Sequence, residues 1–285
     1  MNAADILAYI NTQRETSYRI VGRYAQGESG AAVRVADARG NHYVLKSGTS
    51  TNAEVRAAHP GPTTARLRSL GYPAPEYVAV GIVDQTWYVL QTALRGDPIG
   101  NRASLALLPQ ILHLNDLQRD QGESTAGAEY VIRGVMQGYE GYCVVDTLRT
   151  YSSESAAMLA RLQRIVAANA EECPRRNDIV HWDFHTNNVL MENDRITGVI
   201  DWEGCRSGDC AFDLATMVFY TWSFADFRDA LLRAMLERTT RGALAVYLAH
   251  MIVRQLDWSA RHHPKEAVDH YMERARTILH ALGEV

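Results

Sequence analysis

Lysine is almost missing from this 285-residue chain: of 29 basic side chains only Lys46 and Lys265 are lysines, so arginine carries the remaining positive charge. No basic excess exists either, since the formal net charge is -4, and the electrostatic footprint of a nucleic-acid binder is absent. No stretch approaches the roughly 20 apolar residues that a bilayer span needs, and the opening MNAADILAYINTQRET has no basic segment followed by an apolar run. The four cysteines, Cys143, Cys173, Cys205 and Cys210, have no CxxC spacing, which argues against a disulfide framework or a structural zinc site. A cytoplasmic protein with no membrane and no nucleic-acid partner is expected. With 47% hydrophobic and 22% charged residues the chain has the composition of an ordinary globular protein, long enough for two lobes.

What is there is unevenly distributed. Residues 1–121 hold twelve Lys and Arg against ten Asp and Glu, whereas residues 122–285 hold seventeen against twenty-three. An acidic C-terminal part and a slightly basic N-terminal part suit a cationic substrate and a polyphosphate respectively. In such a chain Lys46 stands out, because it ends the apolar run Tyr43-Val44-Leu45. A compact ammonium is a good point charge for phosphate oxygens, and arginine is no like-for-like substitute.

Local patterns place these residues. Residues 3–14 predict a short amphipathic helix; Val33 and Val35, the turn Arg39-Gly40-Asn41 and the run to Lys46 predict a hairpin. Helices are expected at 51–58 and 63–70, separated by the breaker His59-Pro60-Gly61-Pro62, and strands at Tyr77 to Val83 and Trp87 to Gln91. After the loop Arg95-Gly96-Asp97-Pro98 the pattern turns helical, with Leu105, Leu108, Ile111, Leu112 and Leu114 as a buried stripe, a helix over 154–170 and an almost wholly helical tail from 211 to 282. Strands first and helices later indicate an α+β protein in two lobes, residues 1–93 and residues 94–285.

The most specific segment is His181-Trp182-Asp183-Phe184-His185-Thr186-Asn187-Asn188, followed by Val199-Ile200-Asp201-Trp202-Glu203. An acid, an amide five residues on, and a second acid eighteen residues after the first form the catalytic-loop and metal-loop arrangement of a kinase. Asp183 would accept a hydrogen bond from an incoming hydroxyl, while Asn188 and Asp201 would offer hard oxygens to Mg²⁺ bridging the phosphates. His181, Asp183 and His185 also alternate, and on a strand would turn three ligands to one face, as in a zinc or iron hydrolase. That reading leaves Lys46, Asn188 and Asp201 without a task.

These residues resemble the aminoglycoside phosphotransferase and choline kinase-like family, whose pattern is His-x-Asp-x-x-x-x-Asn followed by Ile-Asp-Trp-Glu. The likeness extends to Gly208-Asp209-Cys210-Ala211-Phe212-Asp213-Leu214-Ala215, and more weakly over Ile20 to Leu256. It implies a bilobal protein-kinase-like fold, with a small antiparallel sheet in a nucleotide-binding lobe and a mostly helical lobe carrying the catalytic loop and substrate site. By that resemblance Asp183 is the catalytic residue, Asn188 and Asp201 are metal ligands, and His181 buttresses the loop. Gly27, Ser29 and Gly30 correspond to the phosphate-covering loop, Lys46 to the phosphate lysine, Glu54 to its glutamate partner, and Gln91 and Ala93 to the segment that holds the adenine edge. Where the family has a small residue, often glycine, this chain has Trp182, whose ring either packs under the loop or lines the pocket. Trp182, His185, Asp213 and Asp257 are the acceptor-side candidates, with Glu284 a further anion there by position.

The expected function is ATP- or GTP-dependent, Mg²⁺-requiring transfer of a γ-phosphoryl group to a hydroxyl of a small cationic acceptor. An aminoglycoside-like or basic peptide antibiotic is favoured, and its phosphorylation would confer resistance. A kinase for choline, an amino alcohol or a sugar would use the same residues. A non-catalytic nucleotide-binding regulator should have lost one of Lys46, Asp183, Asn188 or Asp201, and all are present. A protein kinase is disfavoured, because no Asp-Phe-Gly occurs, no Ala-Pro-Glu follows Asp201, and the helical tail begins soon after it.

Overall fold

The structure is a computed structural model, and it describes residues 1–24, 32–49 and 60–283. Chain contacts divide it into two units. The first comprises Met1–Pro98 with Asn188–Cys205, and the second Ile99–Asn187 with Arg206–Val285.

In the first unit, α1 (Ala3–Arg14) begins at a reciprocal cap: the Asn2 side chain accepts the N–H groups of Ala4 and Asp5, while the Asp5 carboxylate accepts the Asn2 N–H. Such a cap satisfies donors that the first turn leaves orphaned. Strands β1 (Arg19–Arg23), β2 (Val33–Ala36), β3 (His42–Thr49), β4 (Tyr77–Val83) and β5 (Thr86–Thr92) form an antiparallel sheet in the order β1-β2-β3-β5-β4. Ile6, Leu7 and Ile10 of α1 pack with Val33, Val35, Leu45, Ala79, Tyr88 and Leu90 of the sheet. Because strand side chains alternate, burying Leu45 on that face turns its neighbour Lys46 to the other.

Helix α2 (Pro60–Ser69) corrects one expectation: Pro60-Gly61-Pro62 opens this helix instead of preceding it, while the helix expected over 51–58 lies outside the described residues. A proline in the first turn lacks only an N–H that has no intrahelical acceptor anyway, so the pair is tolerated there.

A second sheet of the unit joins β6 (Asp97–Pro98), β8 (Val189–Glu192) and β9 (Arg195–Val199), in that order. It explains why the units are not contiguous in sequence, as a division at residues 93 and 94 would be. The β8–β9 hairpin pairs with β6, and the Val199 N–H donates to the Pro73 carbonyl, so residues far along the chain belong with the first. Gly96 permits the pairing, with φ of 96° and space for no Cβ, which would lie 2.7 Å from the Met191 carbonyl oxygen.

The second unit is largely helical: α3 (Leu108–Leu117), α4 (Gly127–Met136), α5 (Val145–Tyr151), α6 (Ser153–Asn169), α7 (Ala211–Tyr220), α8 (Ala225–Leu236), α9 (Arg241–His262) and α10 (Lys265–Ala281). Its central helix is α9, buried at most positions from Gly242 to Ser259 and capped by Thr240, whose hydroxyl accepts the Ala243 N–H. Strands β7 (Asp178–Val180) and β10 (Arg206–Gly208) pair antiparallel. Of the expected stripe, Ile111 and Leu114 are buried and Leu108 and Leu112 half-buried, but Leu105 is exposed, since it falls in a 3₁₀ turn preceding α3 that shifts its phase. No described helix is long and apolar enough to cross a membrane.

Candidate active site

In the first unit the chemistry gathers around Lys46. Its Nζ donates to Asp201 Oδ1 and to Glu203 Oε1, the latter at 2.8 Å. Burial opposes the ammonium form, but the carboxylates of Glu203 and Asp201 hold its pKa well above the usual lysine value. The two acids flank Trp202 in a 3₁₀ turn, and Trp202 is the anchor of that turn. Fully buried, it packs edge-on against Tyr72 at 5.5 Å and donates its indole N–H to the Val199 carbonyl at 2.8 Å. An apolar residue between two acids thus sinks inward and leaves both carboxylates at Lys46. Asn188 precedes β8, and its carbonyl accepts the Ile200 N–H at 2.9 Å, extending the β8–β9 ladder to the residue before Asp201. An amide and a carboxylate, both hard oxygen donors of the kind that suits Mg²⁺, are therefore carried on neighbouring ladder positions.

In the second unit, β7 delivers the chain into His181-Trp182-Asp183, and Asp213 of α7 holds that turn from beneath. The Asp213 carboxylate, fully buried, accepts the N–H of His181 at 2.8 Å, the N–H of Trp182 at 2.9 Å and the Gln118 amide at 2.6 Å. Burial pushes its pKa up to about 7 against those three donors. His181, also fully buried, accepts the Asp183 N–H on Nδ1 and lies edge-on to Phe184.

Asp183 Oδ1 accepts from Arg254 Nη2 at 2.6 Å, while Oδ2 lies 3.5 Å from His185 Nε2. Burial disfavours the Asp183 carboxylate, yet the Arg254 guanidinium, helped by His185 and His181, holds its pKa well below the usual carboxylate range. The acid is thus kept as an anion, 32% exposed.

The Trp182 ring packs under the loop. It stacks on Phe212 at 4.3 Å, meets the edge of Tyr130 at 5.1 Å, and carries the Arg206 guanidinium 4.6 Å from its centroid. Its indole N–H donates to the Tyr142 hydroxyl at 3.0 Å. The Tyr142 hydroxyl bonds to His250 Nε2 at 2.9 Å, and His250 Nδ1 to the Val131 carbonyl at 2.9 Å. That chain runs in one direction if His250 is neutral with its proton on Nδ1, and burial indeed pushes its pKa down to about 3. Trp182 also has φ of 76°, the left-handed region where a Cβ crowds the backbone. Glycine would sit there freely, which accounts for a small residue in this place and makes the aromatic packing the compensation for a large one.

With this geometry in view, the comparisons are direct. The sequence profile described as "Phosphotransferase enzyme family" matches residues 21–247. The chain belongs to this family.

A hygromycin-B 4-O-kinase of Escherichia coli is 47% identical over 51 residues, which are 18% of this chain and 15% of that protein. Among solved structures, aminoglycoside phosphotransferase APH(4)-Ia superposes with a TM-score of 0.75 at 19% identity, covering 98% of this chain and 99% of that one. Macrolide 2'-phosphotransferase MphH from Brachybacterium faecium gives 0.60 at 16% identity, covering 95% and 97%. The α+β, protein-kinase-like fold expected from the resemblance is the fold observed.

Within this phosphotransferase fold several residues singled out in the sequence are placed differently from expectation. Asp213 is enclosed and binds the loop's own N–H groups, so it supports the loop and cannot meet an acceptor. Asp257 has a 1% exposed side chain and a two-point ion pair with Arg261 one turn along α9. Trp182 is 4% exposed, so its ring does not line a pocket. Ala93 donates its N–H to the His42 carbonyl, which leaves that group no donor for an adenine edge. Gln91 is buried, and its Oε1 has no protein partner among the described residues.

The alternating His-x-Asp-x-His set does not lie on a strand, because β7 ends at Val180 and Trp182 turns left-handed. Asp178, Asp209 and Cys210 cluster within 4.8 Å. Their carboxylates are engaged by the N–H groups of Asp120, Cys210 and Ala211 and by the Tyr247 hydroxyl, as supports for the start of α7. Gly27, Ser29, Gly30, Glu54 and Glu284 lie outside the described residues.

Two residues escaped the sequence reading. Glu203 had a signal, standing two places after Asp201 in an acid-Trp-acid pattern. Arg254 had none, being one arginine among many on a long helix.

Proposed function

We propose that the protein transfers the γ-phosphoryl group of a Mg²⁺-bound nucleoside triphosphate to a hydroxyl of an aminoglycoside-like antibiotic, hygromycin B being the acceptor to test first. The observation that carries the reading is the ion-paired set Lys46, Asp201 and Glu203, with Asn188 on the ladder position that precedes Asp201. Asp201 and Asn188 would hold the metal, which when bound neutralises phosphate charge and orients the transferred group. Lys46 adds a fixed positive charge for the phosphate oxygens, and Glu203 keeps that ammonium in place.

Asp183, held as an anion, accepts a hydrogen bond from the acceptor hydroxyl and aligns its oxygen with the γ-phosphorus. The new bond forms between that oxygen and phosphorus as the bond to the β-phosphate oxygen breaks, and the hydroxyl proton leaves by way of Asp183. Gln91 Oε1, a buried acceptor without a protein donor, suits an exocyclic amino group such as that of adenine.

Two further points support the acceptor class. APH(4)-Ia has been solved in a ternary complex with ADP and hygromycin B. The acidic excess over residues 122–285 also favours a cationic partner.

The test is a phosphate-transfer assay with the purified protein, Mg²⁺ and ATP or GTP against hygromycin B, other aminoglycosides, basic peptides and choline. Transfer to a hydroxyl of hygromycin B is expected. Asp183→Asn should lower kcat by roughly 10²- to 10⁴-fold, the span of a lost proton acceptor, with nucleotide affinity unchanged. Transfer to choline alone would overturn the antibiotic reading, and near-parent turnover by Asp183→Asn would overturn the role of Asp183.

A further inference from the structure

We propose that Arg254 is a positioning residue of the phosphotransfer reaction. Its guanidinium staples the Trp182 carbonyl and the Asp183 carboxylate together, so that Asp183 presents Oδ2 to the acceptor hydroxyl in one orientation. The inference rests on the role of Asp183 given above.

The geometry is a fork. Arg254 Nη1 donates to the Trp182 carbonyl at 2.6 Å, and Nη2 donates to Asp183 Oδ1 at 2.6 Å. Those acceptors belong to consecutive residues, and the first of them has the left-handed backbone of Trp182. One rigid planar group therefore sets both the tilt of the peptide leading into Asp183 and the rotation of its side chain. Lysine, a point charge with rotatable donors, has no matching fork. The arginine comes from α9, the long central helix buried at most positions from Gly242 to Ser259, so the staple ties a loop to a rigid element. Its side chain is only 17% exposed, and the Tyr142 ring lies 5.7 Å from its guanidinium carbon.

Other charges near Asp183 do not do this work. His185 Nε2 is 3.5 Å from Oδ2, too far for a strong hydrogen bond, and its Nδ1 accepts the Asn187 N–H. His181 Nδ1 accepts the Asp183 backbone N–H and so orients the main chain. Asp213 faces the loop from α7 and is itself an acid, which repels the Asp183 carboxylate. Around Arg254 lie Tyr142 and Cys143 from the segment before α5 and Tyr220 from the end of α7, none of them a carboxylate. Arg254 is thus the chief cation that keeps Asp183 ionised, with His185 and His181 adding to it, and by fixing Oδ1 it sets the direction in which Oδ2 is presented. Asp183 so held orients its nucleophile strongly and binds a proton weakly.

The test compares the parent with Arg254→Lys, Arg254→Gln and Arg254→Ala in the assay with Mg²⁺, ATP and hygromycin B, alongside thermal unfolding of each. Loss of one charge-assisted bond to the Asp183 carboxylate and one to the peptide carbonyl leading into it predicts a fall in kcat of roughly ten- to several hundredfold for Arg254→Gln, with KM for ATP within about twofold. Arg254→Lys should recover only part of the rate. The acid limb of the pH profile of kcat should move to higher pH in Arg254→Gln, and guanidinium ion at millimolar levels should restore part of the activity of Arg254→Ala where sodium does not. A folded Arg254→Gln with parent kcat, or a loss of rate with an unmoved pH profile and no guanidinium rescue, overturns the proposal.

Asp183→Asn is run beside these variants. If it abolishes transfer while Arg254→Gln keeps the parent kcat, the staple fails and the role of Asp183 stands. If the parent transfers no phosphate to hygromycin B, the acceptor reading fails, and the staple is then read from unfolding. Asp183→Asn and Arg254→Gln should be strongly non-additive in thermal midpoint, and additivity overturns the ion pair.

Discussion

Trp182 stands where the family pattern has a small residue, and replacing it by glycine sets two effects against each other. Glycine relieves the left-handed strain at φ 76°, a gain of about 1–2 kcal/mol. It also removes a 4% exposed indole stacked on Phe212 and edge-on to Tyr130, and truncating a buried tryptophan costs about 3–5 kcal/mol. The indole N–H bond to Tyr142 adds about 1 kcal/mol, and the greater backbone freedom of glycine in the unfolded chain roughly 0.5–1 kcal/mol. Packing wins, so Trp182→Gly is expected to be destabilised by about 2.5–6 kcal/mol. Urea unfolding followed by tryptophan fluorescence and circular dichroism measures it, with Trp182→Ala and Trp182→Phe in parallel. Alanine keeps the strain and loses the ring, so it should be no more stable than glycine. Phenylalanine keeps most of the stacking and loses the N–H, so it should fall about 1 kcal/mol below the parent. A Trp182→Gly protein as stable as the parent would refute the argument that the aromatic cluster compensates for the backbone.

His250 gives a prediction in pH. Its folded pKa of about 3 lies below the ordinary 6.5, so the unfolded chain binds its proton first and stability is lost as pH falls below about 6.5. Between pH 7 and pH 5 this one group should contribute roughly 2 kcal/mol of destabilisation. The difference in urea midpoints between the parent and His250→Gln at the two pH values isolates it, and an equal acid sensitivity in both proteins would contradict the burial of a neutral ring. Asp257 is closed off by Arg261, so Asp257→Asn should change KM for hygromycin B by less than about twofold while lowering the thermal midpoint. A tenfold rise in KM without loss of stability would return Asp257 to the acceptor side.

Much of this was legible along the chain because the signals are local. The turn Arg39-Gly40-Asn41 and the apolar run to Leu45 marked the hairpin that carries Lys46, and the strand at Tyr77 to Val83 has the bounds the apolar run predicts. The helix at Ser153–Asn169 likewise follows its apolar spacing. Pro60-Gly61-Pro62 belongs to the helix it was expected to precede, because proline is excluded from a helix interior but not from its first turn, and the residues alone do not say which of the two they occupy. Leu105 failed for a similar reason, since a 3₁₀ turn has three residues to the turn and shifts the stripe.

For the site, the residues proposed to carry the chemistry were visible and those that hold them were not. The acid, amide and acid spacing of Asp183, Asn188 and Asp201 follows from a loop and a hairpin contiguous in sequence. The sequence therefore determined by itself the family, the strand-then-helix order and that constellation. Arg254 meets Asp183 across 71 residues, Asp213 reaches the loop across 32, and Glu203 reaches Lys46 across 157. Packing of α7 and α9 against the loop, and the turn around Trp202, bring these partners together. Whether a buried acid such as Asp213 or Asp257 serves a substrate or supports the protein depends on which donors surround it. That is a property of the folded environment, and only the tertiary structure decided it.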